Sequence, residues 1–189
     1  MALFRTIDPT AEPVTLAEAK AHLRVDDDEE DGLIGELIRA ARRHVEADAG
    51  LALIEQGWRT TLDNWPGDDC VAMSIHPLIT VVAVTAFGPD GAGAVVDPAN
   101  YALDRHARPA RLAFSDAGPA LRRFNGVEID LTAGFGATAV DVPDEIKRAM
   151  LLLVAHFHEF RAAFGPDQQP VSIPAGYDRL IAPWRARRL

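Results

Sequence analysis

The sequence has very little cysteine and no long apolar stretch. Cys70 is the only cysteine among 189 residues, which excludes an internal disulfide framework and a thiol-rich metal site. The longest apolar run covers residues 149–155 and is far shorter than the roughly 20 residues that span a bilayer. Met1–Thr10 carries Arg5 and Asp8 and lacks the apolar core of a secretory signal. We therefore expect a protein that folds in a reducing cytoplasm and has no membrane partner.

Basic residues are also scarce. The chain has 19 basic and 28 acidic residues and a net charge of −9, whereas a general nucleic-acid binder normally has a basic excess. Hydrophobic residues make up 48% and charged residues 25% of the chain, which excludes wholesale disorder. A chain of this length buries roughly 70% of the surface that its unfolded form exposes, so it needs no disulfide or metal to fold.

Three segments have helical patterns. Thr15-Leu16-Ala17-Glu18 has the form of a capping box and predicts a helix over residues 15–24. Apolar residues at helical spacing predict a second helix over 29–49, which Gly50 would close. A third helix is predicted over 144–164, and its nearly continuous apolar middle indicates that it is the central core helix.

Charged residues flank and line the second helix. The acidic run Asp26–Asp31 favours a helix N-terminus, where acids offset the positive end of the dipole. A calcium loop is disfavoured because its closing carboxylate would fall on Ile38, which cannot bind the ion. Arg39, Arg42 and Arg43 are predicted on the polar side of the helix, as a solvated face or as a subunit contact.

The middle of the chain has strand patterns instead. Short β-rich segments separated by turns fit an antiparallel sheet or small barrel better than parallel βαβ units. The predicted strands cover residues 58–62, 71–75, 80–87, 101–103, 111–114 and 127–131. The predicted fold class is therefore α+β, with a layer of three main helices, an inserted and mainly antiparallel β region, and an extended C-terminal tail.

These patterns divide the chain into four parts. Residues 1–54 are predicted to hold an N-terminal arm, extended over 1–14, and two helices. Residues 55–141 form the β insertion, and 142–165 form the core helix that completes the helical domain. Residues 166–189 form the extended tail.

The sequence offers no pattern for catalysis, a cofactor or a metal. The segment 134–136 lacks the third glycine and the strand-to-helix context of a nucleotide loop. His156 and His158 are two residues apart and would lie on different helix faces, and no Gly-x-Ser-x-Gly motif occurs. We predict a protein that is not an enzyme and has no cofactor. A small cytosolic enzyme or ligand-binding protein with a site in the β region is the alternative.

The tail differs in composition from the rest of the chain. It contains four prolines, which oppose a long helix, and only a short helical turn is expected near residues 178–181. An aromatic residue beside arginines is typical of protein interfaces, which predicts a docking arm made of Tyr177, Arg179, Leu180, Ile181, Trp184, Arg185, Arg187 and Arg188. The alternatives are a frayed terminus, a tail folded back on its own acidic subunit, and contact of the last arginines with DNA phosphates.

Several segments follow one another in a characteristic order between residues 13 and 184. They are PVTLAEAKAHLRV at 13–25, the acidic run with 33–42, GLALIEQ at 50–56 with Trp58, LDNWP at 62–66, HPL at 76–78, Tyr101, AGFG at 133–136, VPDEIK at 142–147 and LLLVAH at 151–156. This ordered set resembles the head–tail connector (adaptor) proteins of long-tailed phages, prophages and gene transfer agents.

The resemblance implies a structural role in the neck of a phage-like particle, after assembly in the cytoplasm of a bacterial host. It implies a ring of about twelve copies below the portal protein, with the C-terminal tail docked on the portal and a stopper or terminator protein bound on the tail side. DNA would pass through the ring without sequence-specific binding. The acidic composition suits such a channel, because carboxylates repel phosphates.

Overall fold

The chain divides into two compact units. The computed structural model describes residues 1–67, 70–115, 118–160 and 173–185. The β unit contains Met1–Thr10 and Glu55–Phe135, and the helical unit contains Ala11–Ile54 and Gly136–Leu189. Two boundaries differ from those expected. The first ten residues belong to the β unit because they pair with its sheet, and this unit ends at Phe135 instead of residue 141.

The helical unit has four helices within its described residues. They are α1 (Leu16–Leu23), α2 (Asp31–Ala49), α3 (Asp144–Glu159) and α4 (Ala175–Ile181), with a 3₁₀ turn at Ala139–Asp141. The capping box at Thr15 and Glu18 is confirmed, and Gly50 closes α2 in the left-handed conformation at φ 66°. None of the helices in the described part of the chain is both long and apolar enough to cross a membrane.

Two helix boundaries differ from the predicted ones. α2 begins at Asp31 instead of residue 29, because Glu30 occupies the cap position with φ −100° and ψ 7°. α3 ends at Glu159, where Phe160 caps it. The predicted continuation over 161–164 lies outside the described residues.

The core of the helical unit lies between α2 and α3, which contact each other, and α3 also contacts α4. The residues that fill it are apolar and almost fully buried. They are Ile34, Ile38, Ala41 and Val45 from α2 and Ile146, Ala149, Met150, Leu153 and Val154 from α3. The wide apolar face expected of the third helix is thus a buried face.

Arg42 is buried, although the helical pattern places it on the polar side of α2. Its guanidinium donates to Glu12 at 2.8 Å and to Glu46 at 3.0 Å, and Glu46 also accepts the backbone N–H of Leu53 at 3.1 Å. Burial alone would lower the pKa of Arg42, but the two carboxylates outweigh it and raise the pKa. The cluster attaches the segment Leu51–Ile54, which is fully buried, to the end of α2.

The β unit contains two antiparallel sheets. The larger sheet has the order β1-β2-β8-β4-β5 and the smaller one has the order β3-β7-β6. The strands are β1 (Ala2–Ile7), β2 (Gln56–Leu62), β3 (Cys70–Ala72), β4 (Leu78–Phe87), β5 (Gly93–Val95), β6 (Tyr101–Asp104), β7 (Arg111–Phe114) and β8 (Val127–Ala133). A 3₁₀ turn at Pro98–Asn100 precedes β6. The α+β class with an antiparallel β region is confirmed.

Two strands were not predicted and one is shorter than expected. β1, expected as part of an extended arm, pairs with β2 from Ala2↔Thr61 to Ile7↔Gly57. β5 has only three residues, all exposed, and so carries no apolar alternation. β3 covers Cys70–Ala72 alone, while Met73 and Ile75 are buried beyond its end.

The buried α2–α3 interface generates a stability prediction. Ile34 and Leu153 are both 0% exposed, so Ile34→Ala or Leu153→Ala should lower the free energy of unfolding by about 2–5 kcal/mol. Val140 is 83% exposed, and Val140→Ala serves as the control with little expected effect. Thermal or denaturant unfolding measures all three. Wild-type stability in both core variants would contradict the assigned core.

Candidate functional site

The structure places the predicted docking residues in different environments. Tyr177 and Ile181 are 0% exposed within the helical unit, Leu180 and Trp184 are half-buried, and Arg179 is exposed. Arg187 and Arg188 lie outside the described residues, as do residues 166–172. The eight residues are therefore not a single exposed strip.

α4 is a packed helix and not a loose turn. Pro174 precedes its first residue, as suits a residue with fixed φ. A Cβ added at Gly176 would approach the Leu152 side chain to 3.3 Å, so glycine permits close packing of α4 on α3. The Tyr177 ring meets the His44 ring edge-on with centroids 5.5 Å apart. Residues 175–181 thus depart from the extended conformation expected for the tail, because burial of one face stabilises the helix.

One carboxylate on α2 binds both α4 and the segment that follows it. The Tyr177 hydroxyl donates to Asp48 Oδ2 at 2.7 Å, and Arg185 Nη2 donates to the same oxygen at 2.7 Å. Arg185 Nη2 also donates to Asp178 Oδ1 at 2.7 Å. Side-chain charge therefore holds the segment after α4 against its own subunit.

The pKa values follow from these contacts. Partial burial favours a raised pKa for Asp48, but the hydrogen bonds from Arg185 and Tyr177 outweigh it, and the pKa is lowered. Burial and the hydrogen bond to Asp48 raise the pKa of Tyr177. The hydrogen bonds to Asp48 and Asp178 raise the pKa of Arg185. All three groups keep their ordinary charge states at neutral pH, with Tyr177 neutral.

The histidines at the end of α3 have separate partners. His158 Nε2 lies 2.8 Å from Glu30 Oε2, while the His156 ring packs against Phe160 with centroids 5.0 Å apart. Over residues 1–67, 70–115, 118–160 and 173–185, no three His, Cys, Asp or Glu side chains come together as a possible metal site.

A small cavity beside Trp65 in the β unit bears on the ligand-binding alternative. Its volume is about 250 Å³, below the roughly 300–1,000 Å³ of ordinary ligand sites. Trp65, Phe114 and small apolar residues form most of its wall, and Asp97 and Asn100 are its polar side chains. The Asp97 carboxylate accepts the backbone N–H of Ala99 at 2.9 Å and is thus used to cap the 3₁₀ turn.

The larger sheet presents a charged and partly apolar face. Phe4, Arg59 and Asp130 are paired directly across β1, β2 and β8 and so share one face. Arg59 donates to both carboxylate oxygens of Asp130 at 2.7 and 2.9 Å. Phe4 is 46% exposed beside this pair. Alternation along β8 predicted which residues face outward, whereas the Arg59–Asp130 partnership depends on a register that the sequence does not specify.

A family model matches part of the chain, and solved structures match it over its full length. The model of the phage gp6-like head-tail connector protein family matches residues 13–85. Three solved chains cover 100% of this chain and 97% of their own length. One is from the neck of an empty gene transfer agent particle computed with C6 symmetry, with TM-score 0.83 and 29% identity. One is from the virion of a native particle, with TM-score 0.85 and 29% identity. One is from the neck of a native particle computed with C12 symmetry, with TM-score 0.79 and 31% identity. No curated protein matches the sequence.

The hydrogen bonds from Tyr177 and Arg185 to Asp48 predict that the stability of α4 depends on pH. A carboxyl whose pKa is lowered on folding stabilises the folded state above its unfolded pKa of about 3.9. That contribution is lost as the pH falls further, through the folded pKa. Asp48→Asn should therefore speed hydrogen exchange of the α4 amides at pH 7, relative to wild type. The difference in exchange rate between the variant and the wild type should shrink below about pH 4.

Asp8→Asn, at an exposed carboxyl of the β unit, is the control and should leave α4 exchange unchanged. Exchange rates are compared at equal pH after correction for intrinsic rates. Equal α4 protection in wild type and Asp48→Asn at pH 7 would contradict the role of Asp48.

Proposed function

Since this chain belongs to the phage gp6-like head–tail connector family and is a structural connector of a phage-like particle, we propose that about twelve copies form a ring. The ring joins the portal of a DNA-filled head to the tail and leaves a channel through which DNA passes. The observation that carries this proposal is the match over 100% of the chain to neck proteins, at 31% identity and TM-score 0.79. A match of this extent includes both the helical unit and the β unit.

The charge of the protein supports a channel that does not retain DNA. The net charge of −9, multiplied around a ring, gives a negative potential that repels phosphates. Sequence-specific or tight binding would require a basic surface with a strong salt dependence. A connector with this composition lets the genome pass.

The described residues support a non-catalytic role. The small cavity of the β unit has a mostly apolar wall, and its carboxylate Asp97 caps a backbone N–H. An enzyme site brings several polar groups to one reacting atom, and this cavity does not have that arrangement. The ligand-binding alternative therefore has less support than the connector.

The proposed portal contact leaves out the two buried residues of α4. Tyr177 and Ile181 pack within their own subunit. We propose that the portal is met by Arg179, Leu180 and Trp184, together with Arg187 and Arg188, and that the opposite side of the ring receives a stopper or terminator protein. Assembly takes place in the host cytoplasm before the particle is complete.

The portal contact is tested by attachment to DNA-filled, portal-bearing heads. A chain truncated after Gly165 should no longer co-sediment with these heads. Because this truncation also removes the buried Tyr177 and Ile181, a second variant is needed. Arg187→Glu/Arg188→Glu leaves α4 intact and should also fail to attach, since it reverses the charge of the tail.

The control is Arg39→Glu/Arg105→Glu, which makes the same change in net charge at two exposed residues elsewhere. It should attach as wild type does. Normal attachment of both tail variants would contradict docking through the tail. Failure of the wild-type chain to attach to heads would contradict the connector role itself.

A further inference from the structure

An open groove lies on the charged and partly apolar face of the larger sheet. Its volume is about 270 Å³. Gly57 and Thr132, which are partners across β2 and β8, lie at its centre. Ile7 on β1 and Val82 on β4 stand on either side of them and are 66% and 63% exposed. The groove therefore presents apolar side chains that its own subunit leaves uncovered, as interaction surfaces do.

The charges beside the groove neutralise one another. Arg59 donates to both carboxylate oxygens of Asp130 at 2.7 and 2.9 Å and pairs with Glu128 at 2.8 Å. Glu128 also pairs with Arg122 at 3.3 Å. These two arginines and two carboxylates have no net charge, although the chain as a whole has a net charge of −9. Two copies of this acidic chain can therefore meet at the groove without strong repulsion.

An aromatic side chain is exposed in another part of the β unit. Residues 121–126, here called the Phe124 loop, lead into β8, and Phe124 is 64% exposed. The Arg123 guanidinium lies over the Phe124 ring at 5.2 Å from its centroid. Arg123 is itself exposed and makes no ion pair among the described residues. An aromatic ring beside an arginine is typical of the residues that anchor protein interfaces.

The Phe124 loop has a fixed backbone. The N–H of Asn125 donates to Asp63 Oδ1 at 2.9 Å, and the Gly126 carbonyl accepts the N–H of Phe87 at 2.8 Å. Asn125 has φ 50°, and a Cβ at Gly126 would come within 2.8 Å of the Asp63 carbonyl oxygen. The loop therefore presents Phe124 in one position, which lowers the entropic cost of binding a partner.

The Phe124 side chain matches the groove in size but lies away from it within one copy. An apolar cavity of about 150 Å³ takes up a benzene molecule, so a groove of about 270 Å³ has room for a phenyl ring. The Phe124 loop joins β8 at Val127, whereas the groove lies at Leu131 and Thr132, about 13 Å farther along the strand. Two copies can thus make a contact that one copy cannot make with itself.

Unpaired charges at the two sites are opposite in sign. Glu55 lies two residues before Gly57, at the end of the groove that is away from the Phe124 loop. Glu55 is exposed and makes no ion pair within the part of the chain that the structure describes. Arg123 carries the opposite charge next to Phe124. A contact that seats Phe124 in the groove brings this base near this acid, which favours the correct orientation of the two copies.

We propose that, in the ring, Phe124 of one copy inserts between Ile7 and Val82 of the adjacent copy. Arg123 of the first copy then pairs with Glu55 of the second. The proposal rests on the ring of the proposed function. A cyclic ring of identical subunits is built from heterologous contacts, in which two different patches of the chain meet. The Phe124 loop and the groove are two such patches, one towards each end of β8.

Two single substitutions test the insertion. Phe124→Ala removes the side chain that fills the groove, and Val82→Asp places a carboxylate in its apolar wall. Each should weaken assembly on isolated portal by at least about tenfold in apparent affinity. Val140→Ala and Val140→Asp are the matched controls at an exposed residue of the helical unit and should assemble as the wild-type chain does. Native mass spectrometry counts the copies bound per portal, and circular dichroism checks the fold of each variant.

An exchange of charges tests the ion pair. Arg123→Glu and, separately, Glu55→Arg place like charges opposite each other, and each should weaken assembly about threefold. A chain that carries both substitutions restores opposite charges and should assemble to near the wild-type level. This recovery would also exclude misfolding as the cause of the loss in the single variants.

Each result decides the proposal. Loss of assembly in Phe124→Ala and Val82→Asp, with recovery in the charge-exchanged chain, supports it. Normal assembly of either Phe124→Ala or Val82→Asp would overturn the insertion while leaving the connector role intact. A charge-exchanged chain that assembles no better than its single variants would overturn the ion pair. Normal rings that no longer bind the tail-side protein would assign the groove to that protein and overturn the contact between copies. Absence of wild-type assembly on portal would contradict both the contact and the proposed function.

Discussion

The pairing of β2 with β8 is the interaction on which the rest of the architecture depends. The chain leaves the helical unit after Ile54 and returns to it at Gly136. β2 starts at Gln56 and β8 ends at Ala133, and these two residues are partners in the antiparallel register. The exit and the return are therefore neighbours in one sheet. A long β insertion fits at this point because its ends are already close together, as domain insertion requires.

The other strands and the exit segment are arranged around this pair. β1 adds to the free side of β2, and β4 adds to the free side of β8, so the N-terminal residues enter the β unit although α1 follows them directly. On the helical side, Glu46 accepts the N–H of Leu53 while it pairs with Arg42. A buried carboxylate with a paired charge is costly to disrupt, and here it fixes the point at which the chain leaves α2.

Local features of this fold were predictable and long-range ones were not. The capping box at Thr15 involves residues three positions apart, and the alternation of β8 is contained within the strand. In contrast, Arg42 is buried through Glu12, which is 30 residues away, and Tyr177 is held by Asp48, which is 129 residues away. Residue patterns alone place Arg42 on a polar face and Tyr177 in a tail, because neither partner is visible from spacing.

The same contrast between local and long-range features applies to the functional residues. The order of segments along the chain indicates the connector family, whereas the partners of the charged side chains depend on the folded state. Asp104 lies in an ordinary turn by composition, and only the folded loop shows that its carboxylate accepts the backbone N–H of His106 and the guanidinium of Arg111. The same holds for the acidic run before α2, where Lys20 pairs with Asp28 and His158 pairs with Glu30.

The central claim is that this chain is a ring-forming connector on a portal. Native mass spectrometry of the wild-type chain mixed with its portal protein tests it most directly. The account predicts a closed complex with about twelve copies of the chain per portal. A chain that stays as single copies beside an intact portal would contradict the account.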